Sequence, residues 1–113
     1  MTTIFGKILK GEIPCTKVYE DDLVFAFDDI MPGAPVHVLI IPKVELANLN
    51  DVDENHEKWL GRLLLAARKV AEIKGIAKSG YRCVMNNGED AGQSVFHMHL
   101  HVLGGRGLSW PPG

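Results

Sequence analysis

Apolar and polar residues alternate most regularly between positions 94 and 103. Successive side chains of a β-strand point to opposite faces, so this period of two predicts a strand with one apolar and one polar face. The apolar row is Phe96, Met98, Leu100 and Val102, and the polar row is His97, His99 and His101. A helix would place residues two apart on different sides. We therefore expect a strand that carries three imidazoles in line.

The rest of the pattern predicts four more strands and two helices. The strand-like runs cover residues 16–20, 23–28, 36–41 and 81–85. Apolar residues at three- and four-residue steps predict a short helix over residues 3–10 and a long helix over residues 51–74. Asp51 and Glu54 offer the long helix a capping box, and His56 in its first turn is expected to be solvated. Because short turns join most strands, we expect an α+β fold, with a five-stranded antiparallel sheet, one long helix and one short helix.

Size and composition indicate one ordinary globular domain spanning residues 1–113, since 46% of the residues are hydrophobic and 23% are charged. A net charge of −2 provides no general attraction to nucleic acid or to an anionic membrane, so any phosphate binding must be local. Because the sequence has no long apolar run, we expect neither a signal peptide nor a membrane span. Cys15 and Cys83 form no disulfide framework, so we expect reduced thiols in a cytoplasmic protein.

The row of imidazoles is suited to either of two chemistries. Zinc holds nitrogen ligands at ~2.0–2.1 Å. Along a strand with a rise of ~3.3 Å per residue, His97 and His101 start ~13 Å apart, so two neighbouring histidines could share an ion but hardly all three. Alternatively, a neutral imidazole with a pKa near ~6.5 is a competent nucleophile at phosphorus.

The loop before the histidines favours attack on phosphorus. Residues 86–93 are too long for a minimal hairpin turn and contain two glycines. Glycine lets backbone N–H groups converge on an anion, and Asn86 and Ser94 add side-chain donors at the two ends. A polar loop that leads directly into a histidine row is interpreted as a phosphate-binding loop beside a nucleophile.

Residues 97–103 fit the pattern His-φ-His-φ-His-φ-φ, in which φ is apolar, at every position. This is the signature of the histidine triad (HIT) family, and the chain most resembles the Hint branch of that family. The resemblance extends over nearly the whole chain. It includes residues 4–8, 12–14, 27–30, 35–43, 104–106 and 110–113.

The resemblance implies a hydrolase that cleaves purine nucleoside phosphoramidates and releases AMP or GMP through a nucleotidyl-histidine intermediate, with no metal or other cofactor. Hydrolysis of dinucleoside polyphosphates or aminoacyl-adenylates is the alternative enzyme activity. A nucleotide- or zinc-binding regulatory module is the alternative outside catalysis.

The resemblance also assigns roles to individual residues. The middle histidine, His99, would be the nucleophile, and His101 would bind phosphate and assist proton transfer. Hydrogen bonding to a backbone carbonyl near His97 would fix the tautomer of His99, and His37 would support this network. Phosphate would be held by Asn86, Gly92 and Ser94, and ribose by Asp29. The base pocket would be lined by Ile4, Phe5, Ile8, Phe27, Ile30 and Leu39.

The C-terminal tail is expected to take part in a homodimer. Residues 106–113 are too rich in glycine and proline to extend the last strand, yet they carry the large apolar Trp110. By resemblance, Trp110 would approach the active site of the partner subunit.

Overall fold

The computed structural model describes residues 3–113. This part of the chain contains five strands and two α-helices, and the predicted α+β architecture is confirmed. The elements are α1 (Ile4–Leu9), β1 (Lys17–Glu20), β2 (Val24–Asp28), β3 (Val36–Pro42), α2 (Glu57–Ile73), β4 (Tyr81–Val84) and β5 (Leu100–Gly104). Among the described helices, none is both long enough and apolar enough to cross a bilayer.

The strands form one antiparallel sheet in the order β1-β2-β3-β5-β4. Strand β3 is central, and its neighbour β5 brings the triad sequence beside it. In their register Leu39 lies opposite His101, and His37 lies opposite Leu103. Side chains on one face of neighbouring strands contact one another at this spacing. The sheet therefore brings His37 and His101 together across 64 residues of sequence.

The two faces of the sheet bury different clusters. One face packs on α2 through an apolar core that contains Val38, Ile40, Leu100 and Val102. The opposite face carries Phe27, Leu39 and Ile41, which pack against Phe5 and Ile8 of α1. Because side chains alternate along a strand, His37 and His101 share the face of Leu39. The candidate site therefore lies on the side of the sheet away from the long helix.

The long helix begins at Glu57, not at Asp51 as predicted. Residues 49–51 and 54–56 form two separate 3₁₀ turns, and the capping box joins Asp53 to His56. The Asp53 side chain accepts from Asn55 N at 2.8 Å, and His56 Nδ1 accepts from Asp53 N at 3.1 Å. Asp51 instead accepts from Ala47 N at 3.1 Å. His56 therefore caps a turn and is not merely solvated.

The last strand begins at Leu100, so the prediction of a strand from residue 94 is wrong for its first half. Residues 94–99 approach the sheet as an irregular segment, in which Met98 N donates to Leu46 O at 2.7 Å. Met98 is buried as predicted, whereas Phe96 is 46% exposed. The alternation of residues 96–102 therefore belongs to a strand only from Leu100 onward.

Candidate active site

A cavity of about 340 Å³ opens on the sheet face that α1 partly covers. This volume lies in the range usual for small-molecule sites. Many of the residues predicted for the nucleotide site line it. They are Ile4, Phe5, Ile8, Phe27, Asp29, Ile30, Leu39, Ser94, His99 and His101. The cavity thus combines an apolar wall with two imidazoles, a hydroxyl and a carboxylate.

Other predicted residues lie outside the cavity wall. The lining does not include His37, Asn86, Gly92, His97 or Trp110. His37 nevertheless contacts the site through His101, as described below, whereas the His97 ring borders a shallow groove beside Lys10 and Lys43.

The sequence analysis missed several residues that line the cavity, namely Ile13, Pro14, Cys15, Asp28, Met31 and Val95. Residues 13–15 lie between α1 and β1, where no periodic pattern assigns a face. Asp28 also pairs with Lys74 Nζ at 2.7 Å. The one signal that the sequence offers for this segment is the apolar Ile13 next to Pro14.

His99 is held by a backbone acceptor. The residue is 5% exposed, and its ring Nδ1 lies 2.8 Å from the carbonyl oxygen of His97. A carbonyl only accepts, so Nδ1 must carry the proton and the neutral ring keeps its lone pair on Nε2. The ring of Phe5 meets His99 edge-on, with centroids 5.0 Å apart. These contacts fix both the tautomer and the orientation of an imidazole that lines the cavity.

Burial also keeps His99 neutral. Desolvation lowers the pKa of His99 below its ordinary value of 6.5, and nearby His97 acts in the same direction. The hydrogen bond to the His97 carbonyl and the negative charge of Asp29 oppose this shift without reversing it. At neutral pH the Nε2 lone pair is therefore available to attack an electrophile.

The hydrogen bonds of His37 and His101 determine the tautomers of both rings. Gly33 N donates to His37 Nδ1 at 2.8 Å, so His37 carries its proton on Nε2. That nitrogen lies 2.8 Å from His101 Nδ1 and 3.5 Å from Asp29 Oδ2, and the shorter contact is the stronger hydrogen bond. His101 Nδ1 is then the acceptor, which places the proton of His101 on Nε2.

His101 presents an unused donor at the site. Its Nε2 is buried and has no hydrogen-bond partner among residues 3–113. Buried polar atoms are nearly always paired, and an unpaired one commonly marks a functional group. Burial lowers the pKa of His101 to about 4, and the neighbouring His99 and His37 contribute in the same direction. His101 is thus a neutral N–H donor next to the His99 lone pair, with ring centroids 5.0 Å apart.

The expectation of three imidazoles on one face is wrong. His97 precedes the strand, and its buried ring turns toward Pro42 O, 3.1 Å from Nε2, and Thr3 Oγ1, 3.4 Å from Nδ1. Both ring nitrogens are therefore engaged away from the cavity. What His97 contributes to the site is its backbone carbonyl.

The structure brings together a different set of potential metal ligands from the one considered in the sequence. Asp29, His37 and His101 each place one ligand atom within 4.8 Å of the others. A metal must bind a deprotonated nitrogen. Because the Gly33 amide occupies His37 Nδ1, the proton of His37 lies on Nε2, the atom that would have to coordinate. This donor set therefore does not fit a divalent cation.

Gln93, which the sequence analysis passed over, anchors the loop before the triad. This residue is 6% exposed. Its Oε1 accepts from Gly88 N at 2.8 Å, and its Nε2 donates to Ala47 O at 2.6 Å and to Val95 O at 3.0 Å. Gly88 and Gly92 have φ of +89° and +82°, conformations that favour glycine. The loop is thus tied to residues 46–47, the segment that also fixes Met98.

Comparisons with known proteins agree with this geometry. A family profile described as the HIT domain matches residues 10–108. This chain belongs to the HIT domain family. The membership expected from the triad sequence is confirmed.

Two relatives illustrate how close the similarity is. The chain is 54% identical over 106 residues to the purine nucleoside phosphoramidase of Escherichia coli strain K12, an alignment that covers 94% of this chain and 89% of the relative. It is 53% identical over 111 residues to an uncharacterized HIT-like protein of Synechococcus elongatus, covering 98% of this chain and 96% of the relative.

Solved structures of HIT hydrolases share the fold. The HIT family hydrolase from Legionella pneumophila Philadelphia 1 superposes with a TM-score of 0.96 at 48% identity, covering 99% of this chain and all of that chain (100%). The HIT family hydrolase from Clostridium thermocellum gives 0.93 at 50% identity, covering 96% and 94% of the two chains. The chain is thus an enzyme of the HIT type.

The lowered histidine pKa values predict how activity depends on pH. Protonation would remove the lone pair of His99, so a reaction in which His99 attacks the substrate should slow as pH falls. Because burial lowers the pKa of His99, the acid limb of kcat/KM should have its midpoint below 6.5. Turnover of a substrate without a titrating group between pH 4 and 8 measures this midpoint.

Stability must be followed in the same titration. A histidine whose pKa is lower in the folded state stabilises fully above 6.5, and this stability is lost as pH falls toward about 4 for His101. Circular dichroism at each pH separates unfolding from protonation of the site. A midpoint at or above 6.5 in protein that remains folded would contradict the neutral, desolvated nucleophile.

Proposed function

We propose that this protein hydrolyses the P–N bond of purine nucleoside phosphoramidates and releases AMP or GMP. The observation that carries the proposal is that the Nε2 atoms of two adjacent imidazoles have opposite hydrogen-bonding roles, one as an acceptor and one as a donor. His99 has its lone pair on Nε2, because Nδ1 donates to the His97 carbonyl, and His101 has its proton on Nε2. A nucleophile beside a hydrogen-bond donor is the arrangement that displacement at phosphorus needs.

In the first step, His99 Nε2 attacks phosphorus and the P–N bond breaks. The bonding electrons leave with the amine, which takes a proton from solvent water, and the nucleotide becomes attached to His99. His101 Nε2–H donates to a phosphoryl oxygen as negative charge develops there and assists proton transfer to the leaving group. The buried donor of His101 thereby gains the acceptor that it lacks among the described residues.

In the second step, water attacks the nucleotidyl-histidine and restores the free enzyme. A P–O bond forms as the P–Nε2 bond breaks, His99 recovers its lone pair, and the proton lost by the attacking water returns to solvent as the nucleoside monophosphate leaves. The Nδ1 hydrogen bond to His97 stabilises the positive charge that His99 carries while it is bonded to phosphorus. No metal enters either step, since N–H donors and imidazolium meet the phosphoryl charge.

The lining of the cavity supports placement of a purine nucleotide. The phosphate would lie beside Ser94 and the two imidazoles, and Asn86 and Gly92 of the preceding loop would complete its contacts. Asp29 would bind the ribose hydroxyls through the carboxylate that already accepts from Met31 N at 2.9 Å. The base would then fill the apolar wall, whose residues are Ile4, Phe5, Ile8, Phe27, Ile30 and Leu39.

The name of the E. coli relative supports the choice of reaction. That protein is named a purine nucleoside phosphoramidase, and it shares 54% of the aligned residues with this chain. Dinucleoside polyphosphates and aminoacyl-adenylates present the same phosphorus to the same nucleophile, so a substrate panel must include them. We also propose a cytoplasmic location, where the free thiols of Cys15 and Cys83 remain reduced.

We further propose that the protein is a homodimer whose tail reaches the partner's site. Trp110 is 80% exposed, so it does not dock on its own domain. The tail before it is held at the edge strand β4, because Arg82 Nη2 donates to Ser109 O at 3.0 Å. Large exposed aromatic side chains are typical of interfaces. An unpaired edge strand next to such a residue supports pairing with a second copy.

Substitution of His99 tests the proposed reaction. His99→Asn keeps an N–H group that can donate to the His97 carbonyl but removes the nucleophile. We expect turnover of an adenosine phosphoramidate to fall by at least about 10⁴-fold while AMP still binds. His101→Ala should retain more activity, with a loss of about 10²-fold, because water can partly take over proton transfer.

Folding and binding must be measured in the same variants. His99 is buried, but it borders an open cavity, so its loss should leave the thermal unfolding midpoint close to that of the unaltered protein. Isothermal titration with AMP checks that the pocket is intact. Substantial turnover by folded His99→Asn would exclude His99 as the nucleophile. Preference of the unaltered protein for a diadenosine polyphosphate over the phosphoramidate would exclude the proposed substrate class.

Deletion of residues 107–113 tests the role of the tail. We expect relative kcat/KM values across a panel of leaving amines to change, with little loss of thermal stability, because Trp110 contributes almost no burial to its own domain. Trp110→Ala should reproduce much of the change if the indole is the contacting group. Sedimentation at micromolar concentration should show a dimer. A monomer would refute the interface, and an unchanged substrate profile would refute the role of the tail.

A further inference from the structure

The hydrogen bonds that begin at His101 continue beyond His37 to a surface arginine. Arg106 Nη2 donates to Gly33 O at 3.0 Å, and its Nη1 donates to Gly107 O at 2.9 Å. Gly33 is also the residue whose amide donates to His37 Nδ1. One side chain that is exposed to solvent is thus two hydrogen-bonded groups away from the donor at phosphorus.

The end of β5 directs Arg106 back toward this loop. Gly105 has a φ of +88°, a conformation that favours glycine, and it turns the chain across Pro35. A Cβ at Gly105 would lie 2.9 Å from the Pro35 Cβ, too close for an ordinary contact. The backbone can therefore pass this near to Pro35 only without a side chain, and this approach brings the guanidinium within reach of Gly33.

We propose that Arg106 is a positioning residue, which holds the Gly33 amide against His37 and thereby keeps His101 in the tautomer that donates from Nε2. The proposal rests on the proposed function in one respect, namely that the His101 Nε2–H group donates to the phosphoryl oxygen of the substrate. The hydrogen bonds that carry it are Arg106 to Gly33, Gly33 to His37, and His37 to His101.

The consequence of losing the amide follows from the chemistry of imidazole. A neutral imidazole has one N–H and one acceptor nitrogen. If His37 moved its proton to Nδ1, its Nε2 would face His101 as an acceptor, and His101 would have to donate from its own Nδ1. His101 Nε2 would then present a lone pair to the phosphate in place of a hydrogen. No net proton is gained or lost, yet a stabilising contact becomes a repulsive one.

Kinetics of Arg106 variants test the effect on turnover. Arg106→Ala should lower kcat by roughly 5- to 20-fold with KM changed by less than about twofold, because the donor acts on developing charge more than on bound substrate. Arg106→Lys should recover part of the loss, since an ammonium can donate to Gly33 O. Lys78→Ala removes the same charge from an exposed turn and should behave as the unaltered protein. Equal kcat for Arg106→Ala and the unaltered protein would overturn the proposal.

A pair of substitutions at Gly33 isolates the amide itself. A Cβ at Gly33 would make only ordinary contacts, the nearest at 3.7 Å from His37 Nδ1, so Gly33→Ala should keep the hydrogen bond and is the matched control for a side chain added without loss of the N–H. Gly33→Pro removes the N–H and should lower kcat as Arg106→Ala does. If Gly33→Pro fails to fold, judged by circular dichroism, the Arg106 series decides the question alone.

Long-range ¹H–¹⁵N spectra read the tautomers without any substrate. The unaltered protein should show His37 and His101 both protonated on Nε2, and Arg106→Ala should show a second tautomer of both rings. An unchanged tautomer population would overturn the proposal even if activity fell. Because this readout needs no turnover, it judges the positioning role separately, should the phosphoramidate prove not to be a substrate.

Discussion

The carbonyl oxygen of His97 accepts a hydrogen bond from Nδ1 of His99 at 2.8 Å, and this contact determines which nitrogen of the site can attack. In a continuous strand that oxygen would face a ladder partner. Here β5 begins only at Leu100, so the carbonyl is free to hold the imidazole two residues later. The irregular segment before the strand therefore leaves the Nε2 lone pair of His99 unshared, as the role of nucleophile that we propose for His99 requires.

Three backbone oxygens of one segment hold this irregular stretch in place. Pro42 O accepts from the His97 ring, Leu46 O from Met98 N, and Ala47 O from the Gln93 side chain. Residues 42–47 run from the last residue of the central strand into the segment after it, so the triad approach is fixed to the end of β3. The site combines a rigid frame of this kind on one side with the His37–His101 pair on the other.

Much of the fold could be predicted from the sequence because burial of one face of a strand or helix requires apolar residues at regular intervals. Alternation at Val38, Leu39 and Ile40 separates the face that packs on α2 from the face that bears the cavity. The same period predicted that His101 would share a face with the pocket. It failed at His97, because the alternation of residue types begins before the regular strand geometry, which starts only at Leu100.

The remaining contacts of the site correspond to no pattern in the sequence. The Gly33 amide, the His97 carbonyl and the Pro42 carbonyl are backbone groups, and residues of almost any type supply the same groups, so the residue type does not single them out. Gln93 is a single polar residue in a polar loop, so nothing distinguishes it from a solvated neighbour until its four hydrogen-bond partners are known. The start of α2 was misplaced because Asp51 and Glu54 match a capping box that the chain actually builds with Asp53 and His56.

The most direct test of this account is to trap the covalent intermediate and locate its bond. A nucleoside phosphoramidate is mixed with the enzyme, quenched in alkali within the first turnover, and digested for mass spectrometry and NMR of the modified peptide. The account predicts one nucleotidyl group, attached to Nε2 of His99. A nucleotidyl group on His97, His101 or any other residue, or a bond to Nδ1 of His99, would contradict it.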